Sequence, residues 1–195
     1  MPLKPLVSIT SPSLELTKEL FLLASSTSTS IGIPIPTELG NLTNLVYDQS
    51  HFEYNALYTD ENWLRDFLNS KQMDGDWEIT QTIAPTDVMA DLLTEDSVIV
   101  SWTPIRYNWS AGGYRIFLST NPGGSYTLFD ETTDKNASSL TINGLNPGTT
   151  YYFVIQTVTY PHGLNVNTVL SEYSEEVSAA TISINEPPVA DAGED

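Results

Sequence analysis

Two histidines, His51 and His162, are the only imidazoles in a chain of 195 residues that has no cysteine. Imidazole is the commonest general base near neutral pH, and a thiolate is the usual soft nucleophile and zinc ligand. Proton-transfer catalysis by imidazole therefore rests on two positions, and thiol chemistry on none. His162 follows Pro161 in a loop containing Gly and Asn, and no nucleophile-elbow motif accompanies either histidine, so both read as loop residues. Carboxylates are abundant, but a glycosidase needs two of them converging in a cleft at roughly 5 to 10 Å, and nothing in the sequence announces a cleft. The densest oxygen cluster is Asp74, Asp76 and Glu78, a set of the kind calcium favours, without the regular loop of an EF-hand. It reads first as a solvated turn and second as a weak calcium candidate. No Gly-rich phosphate loop, HExxH pattern or dinucleotide fingerprint occurs, so no cofactor is expected and the chain reads as non-enzymatic. Three glycosylation sequons, at Asn41, Asn108 and Asn136, are too short a motif to decide anything.

Charge narrows the partners. Seven Lys+Arg against 25 Asp+Glu give a net charge of -18, a field that repels phosphate backbones and anionic lipid, so nucleic acid is not an expected partner. Charged residues make up 16% and hydrophobic residues 40%, which excludes a disordered acidic tail or a coiled coil as a description of the whole chain. No window approaches the roughly 18 apolar residues of a membrane span, and membrane insertion is not expected. The first 30 residues hold no sustained apolar core of a secretory signal, so the sequence reads either as a chain not exported alone or as a piece of a longer one.

From Ala84 onward the hydrophobic pattern alternates with period two between turn signals, which predicts an all-β unit. Val98, Val100 and Trp102 face one way; Tyr114, Ile116 and Leu118 repeat the device; Tyr151, Phe153 and Ile155 supply a third such strand. Tyr126 and Leu128 are expected to lie in a further strand, and the last strand is expected from about Glu172 to Ile182. Pro85, Trp102, Tyr114 and the Leu145-x-Pro147-x-Thr149-x-Tyr151 segment resemble the fibronectin type III domain over residues 84–184. The resemblance implies a mainly β, seven-stranded sandwich with Trp102, Tyr114, Leu145, Tyr151 and Phe153 as structural core. It also implies that the Tyr151 hydroxyl bonds back to the preceding crossover.

The amino-terminal part reads differently. Ile35-Pro-Thr-Glu-Leu-Gly-Asn-Leu-Thr-Asn-Leu45, followed by Asn55-Ala-Leu57, resembles a leucine-rich repeat, with a decayed copy near Leu16 to Leu22. Residues 59–68 predict a short helix at about 60–69, capped by Thr59 or Asp60, with acids in its first turn and Trp63, Leu64, Phe67 and Leu68 as its apolar stripe. The segment from Tyr54 to Ile83 resembles the capping unit that joins leucine-rich repeats to a fibronectin module in large bacterial surface proteins. Domains are thus expected at 1–34, poorly ordered or a decayed repeat; 35–83, a small α/β repeat remnant with its capping helix; 84–184, the sandwich; and 185–195, an acidic Pro-containing linker. Within that last stretch Pro188-Val-Ala-Asp-Ala-Gly193 resembles the opening of a polycystic-kidney-disease type domain.

These resemblances imply a non-enzymatic extracellular or cell-surface module for adhesion, binding or spacing. It would sit among neighbouring modules of a larger bacterial protein, with a protein or carbohydrate ligand. The alternative they imply is an accessory fibronectin module of a secreted carbohydrate-active hydrolase. Candidate contacts lie in two loops at one end of the sandwich: Arg106, Tyr107 and Trp109 in the first, His162, Val166 and Val169 in the second. Aromatic and arginine side chains are enriched at binding hot spots, and equally at packed domain junctions. Whether these loops are exposed or pack on the cap stays open at the level of sequence.

Overall fold

A computed structural model describes residues 29–42, 45–47, 50–73 and 75–183. The repeat-like leucines before Leu23, the Ser25-to-Ser28 run, Asp74 and the tail with its Pro188 motif lie outside the described residues.

Two sheets form the sandwich. One holds β4 (Thr86–Thr94), β5 (Ser97–Thr103) and β8 (Ser139–Ile142) in the order β4-β5-β8. The other centres on β9 (Thr150–Thr159), flanked by β6 (Gly112–Ser119) and then β7 (Thr127–Glu131) on one side. On its other side β9 pairs with β10 (Thr168–Tyr173) through its carboxy-terminal half and with β11 (Val177–Ala180) through its amino-terminal half. Alternation places Val98, Val100, Trp102, Tyr114, Ile116, Tyr151, Phe153 and Ile155 in one buried cluster, joined by Ile105, Tyr107, Ile142 and Leu145. Leu118 lies at its edge, partly buried. The Tyr151 hydroxyl accepts from the Asn146 amide at 3.0 Å, closing the β8–β9 crossover.

The strand count departs from the seven expected. The last strand is broken into β10 and β11 because the ladder shifts register between Leu170 and Tyr173. There Ser174 replaces a ladder rung, its Oγ accepting from the Ile155 amide at 2.9 Å while its own amide donates to the Ile155 carbonyl at 2.8 Å. A further strand, β1 (Thr29–Ile31), pairs in parallel with β10, Thr29 opposite Thr168 and Ile31 opposite Leu170. Sequence reading gives residues 1–34 as poorly ordered or a decayed repeat, since Ser25 to Ser30 has no apolar period; residues 29–31 and 33–34 are nonetheless strands, and backbone pairing to a sheet edge needs no such period. β7 also differs, because it is an edge strand whose Leu128 and Phe129 are exposed.

Gly112 and Gly113 open β6 where two backbones come very close. A Cβ at Gly112, whose φ is +148°, would lie 2.0 Å from the Val158 carbonyl oxygen, and one at Gly113 would lie 2.2 Å from that of Thr132.

The amino-terminal cap has its own core of Ile35, Leu39, Phe52, Leu64, Leu68 and Trp77. Its strands β2 (Ile33–Pro34) and β3 (Leu57–Tyr58) pair in parallel, Ile33 opposite Leu57, with a 3-10 turn at Thr37–Asn41 between them. Helix α1 (Asn62–Lys71) buries Leu64 and Leu68 completely. It begins later than expected: Glu61 occupies the cap position without a side-chain bond, and no acid lies in the first turn. Trp63 leaves the expected stripe, being half exposed and lying over Gly40, where a Cβ would meet the indole at 2.3 Å.

Candidate functional site

Residues 81–85 connect the two units, and the first of the two expected loops meets the cap there. Thr82, fully buried, donates its amide to the Asn55 carbonyl at 2.7 Å and shares a hydrogen bond of 2.7 Å with the hydroxyl of Thr159 on β9. Thr159 also accepts from the ammonium of Lys135 at 3.0 Å. Lys135 has no exposed surface and no carboxylate partner among the described residues, and its Nζ sits 3.9 Å from the centroid of the Tyr107 ring. Burial without a counter-ion pushes its pKa down to about 8. The ring quadrupole and one hydroxyl are the compensation for desolvating the charge.

Tyr107 carries the network outward. Its hydroxyl lies 2.9 Å from His162 Nε2 and 2.7 Å from Ser110 Oγ. The Leu164 amide donates to His162 Nδ1 at 3.2 Å, so a neutral ring carries its proton on Nε2 and donates it to the Tyr107 oxygen. Burial first, and the Lys135 charge second, hold the His162 pKa below its ordinary value. Burial raises that of the Tyr107 phenol. Tyr54 of the cap, at φ 59°, stands edge-on to both rings, 5.8 Å from Tyr107 and 5.3 Å from His162. Asn165 fastens it by donating from Nδ2 to the Tyr54 carbonyl at 2.5 Å.

The six candidate contacts therefore divide. Tyr107 and His162 come together and pack on the cap. Arg106 pairs with Asp76 across the junction at 2.9 Å. Val169 is buried within β10 and belongs to the sheet. Trp109 and Val166 point to solvent at 59% and 63% exposure, with Leu164 at 69%. Trp109 rests edge-on against Tyr107, 5.0 Å between ring centres, so the exposed indole is backed by the buried network.

Of the calcium candidate, Asp76 and Glu78 are held by other contacts, and Asp74 lies outside the described residues. Asp76 accepts from the Glu78 amide at 2.9 Å as the cap of the 3-10 turn Trp77–Thr80, and its other oxygen receives Arg106. Glu78 receives Arg65 at 2.6 Å. Among the described residues no group of three or more metal-ligating side chains converges.

Sequence reasoning missed Lys135, Thr82, Thr159 and the buried Gln72 and Gln81. The Phe52 amide donates to Gln72 Oε1 at 2.8 Å and the Leu57 amide to Gln81 Oε1 at 3.0 Å, so two glutamines satisfy backbone that no further strand pairs. A lysine followed by Asn-Ala-Ser in a turn looks solvated, and only the fold shows that its stem threads inward.

The two-layer antiparallel arrangement with a hydroxyl-closed crossover defines a β-sandwich module. Residues 83–169 match the fibronectin type III domain family, and this part of the chain is a fibronectin type III domain. Among solved structures, an Fn3-like protein from Clostridium thermocellum is 24% identical, with 54% of this chain and 98% of that one covered, at a TM-score of 0.41. The fn3 domain of human contactin 1 is 18% identical, covering 55% of this chain and 83% of that one, at 0.44. A myokine structure is 20% identical, covering 52% and 99%, also at 0.41. No curated protein matches the chain.

Proposed function

We propose that this chain is a non-enzymatic spacer and binding module of a larger extracellular surface protein, in which the cap and the fibronectin type III domain are held at one fixed angle. Fibronectin type III domains are commonly structural or binding modules. The observation that carries the reading is Tyr54, clasped between Tyr107 and His162 and tied by Asn165, above a buried chain running Lys135, Thr159, Thr82. A flexible linker would need none of these contacts.

In the same reading the cap is the last turn of a leucine-rich repeat. Its support is the parallel pairing of Ile33 with Leu57, a 24-residue advance within the usual repeat length of roughly 20 to 29, and Asn55, whose Nδ2 donates to the Phe52 and Glu53 carbonyls. Gln72 and Gln81 then serve as the stop that a terminal repeat requires.

A second, compatible reading has an observation of its own: Trp109, Leu164 and Val166 form an exposed apolar group at the loop end, a surface suited to a protein ligand. Small-angle scattering of the full chain tests the first reading. One fixed arrangement is expected, and Tyr54→Ala with Asn165→Ala should broaden the distribution of overall dimensions. Unchanged scattering in the double variant would remove Tyr54 as the clamp.

A further inference from the structure

Beside the junction, between cap and sandwich, lies a cleft of about 810 Å³, within the roughly 300 to 1,000 Å³ usual for ligand sites. Tyr58 of β3 and Asp60 line its cap side, Asp87 of β4 and the stretch Glu172 to Glu175 at the β10–β11 break line its sandwich side, and Leu57, Ile83 and Val88 contribute apolar surface. Two guanidiniums reach it, and both are already held, Arg65 by Glu78 and Arg106 by Asp76. Asp60, Asp87, Glu172 and Glu175 have no cationic partner among the described residues.

We infer that this cleft binds a basic peptide segment, with lysine or arginine side chains set against Asp60, Asp87, Glu172 and Glu175. Three observations carry it. Carboxylates stand on both walls, Asp60 on the cap and Asp87, Glu172 and Glu175 on the sandwich, and two of them from opposite walls, Glu172 and Asp60, act together on the Tyr58 phenol, which is raised by burial first and then by those two charges. They are nonetheless spread along the cleft, with no cluster able to hold one metal ion among the described residues, which fits a row of separate cations. Finally, Tyr58 and the half-exposed Tyr173 line the cleft together with Leu57, Ile83 and Val88, a surface that suits the aliphatic stems carrying such cations. Arg106, whose side chain is 67% exposed, adds a donor for peptide carbonyls that a bare polyamine could not use. The inference rests on the fixed junction, because the two walls belong to different units.

The test is fluorescence anisotropy of a fluorescein-labelled hexalysine peptide with the full chain at low and physiological salt. Asp60→Asn with Glu172→Gln should weaken binding at least about fivefold, as expected for the loss of two solvent-exposed charge pairs. Asp91→Asn with Glu95→Gln, the same charge change in the β4–β5 hairpin away from the cleft, should change it less than about twofold. Equal losses in the two variants would assign binding to the general field of a chain at net charge -18 and overturn the proposal. So would absence of binding, or displacement by spermidine at the same concentration as unlabelled hexalysine. Failure here with scattering that still reports a fixed angle refutes the cleft alone; scattering without a fixed angle refutes the junction on which it rests.

Discussion

Lys135 and Tyr107 are stacked with the ammonium 3.9 Å from the ring centroid, in a site with no carboxylate among the described residues to neutralise the lysine. Buried lysines are usually paired, and here the π face, one threonine hydroxyl and a lowered pKa of about 8 replace the ion pair. The lysine thus makes the junction pH-dependent.

The sign follows from proton counts. Between pH 8 and about 10.5 the unfolded chain holds a proton on Lys135 that the folded chain does not, so stability rises with pH through that interval. Tyr114, pushed up to about 12, opposes it above pH 10, where the unfolded phenol ionises first. Denaturant unfolding from pH 7 to 10 should therefore show a rise, on the order of 3 kcal/mol at most, that Lys135→Met abolishes.

His162 acts in the same direction at lower pH. Its pKa is held below 6.5, so the unfolded chain takes up a proton first, and stability falls as pH drops through 6.5. His162→Gln should flatten that acid limb. An unchanged limb would place the acid sensitivity in the carboxylates.

Tyr54→Ala should cost about 1 to 3 kcal/mol, because two edge-on ring contacts and the cover over Tyr107 are lost together. Thermal unfolding of the full chain is the measurement. In a fragment of residues 83–183 the same cover is missing, yet the sandwich core is complete, so a cooperative transition is expected there too, at lower temperature.

Gly113→Ala tests the close approach at the start of β6. A methyl 2.2 Å from the Thr132 oxygen must displace backbone, and the expected loss is about 1 to 3 kcal/mol by urea titration. A loss below about 0.5 kcal/mol would mean that the two chains are not that close.

Acrylamide should quench Trp109 and Trp63 and leave Trp77 and Trp102 dark to it, as their exposures of 59%, 50%, 0% and 4% require. Trp63→Phe isolates the loop indole. If the remaining accessible emission vanished as well, Trp109 would be packed and its role as a recognition surface would fall.

The sandwich is legible in the sequence because its strands alternate and its anchors are large: Trp102, Tyr114 and the Leu145-to-Tyr151 segment each carry a local pattern with one structural meaning. β1 is not legible, since its pairing with the edge of β10 is a backbone ladder of three rungs that leaves no period in the sequence. Lys135 and Tyr54 are missed for a related reason. Their side chains meet Thr159 and Tyr107, 24 and 53 positions away, and a lone charged or aromatic side chain carries no period to betray such a contact. The candidate loops are legible as a place rich in aromatics, but the division between packed Tyr107 and exposed Trp109, two residues apart, depends on which side of one turn the cap occupies.

The parallel pairing of β1 with β10 also sets how the chain bears tension. A pull on the segment before Thr29 loads β1, and an opposite pull after Ala180 reaches β10 through β11; β1 and β10 are neighbours of the same polarity, so the rungs between residues 29–31 and 168–170 are sheared together instead of being peeled one at a time. With three residues in that contact against the eight paired positions of β6 and β9, it is the first to yield under load. Under load this chain would thus lengthen by releasing β1 while the sandwich stays folded.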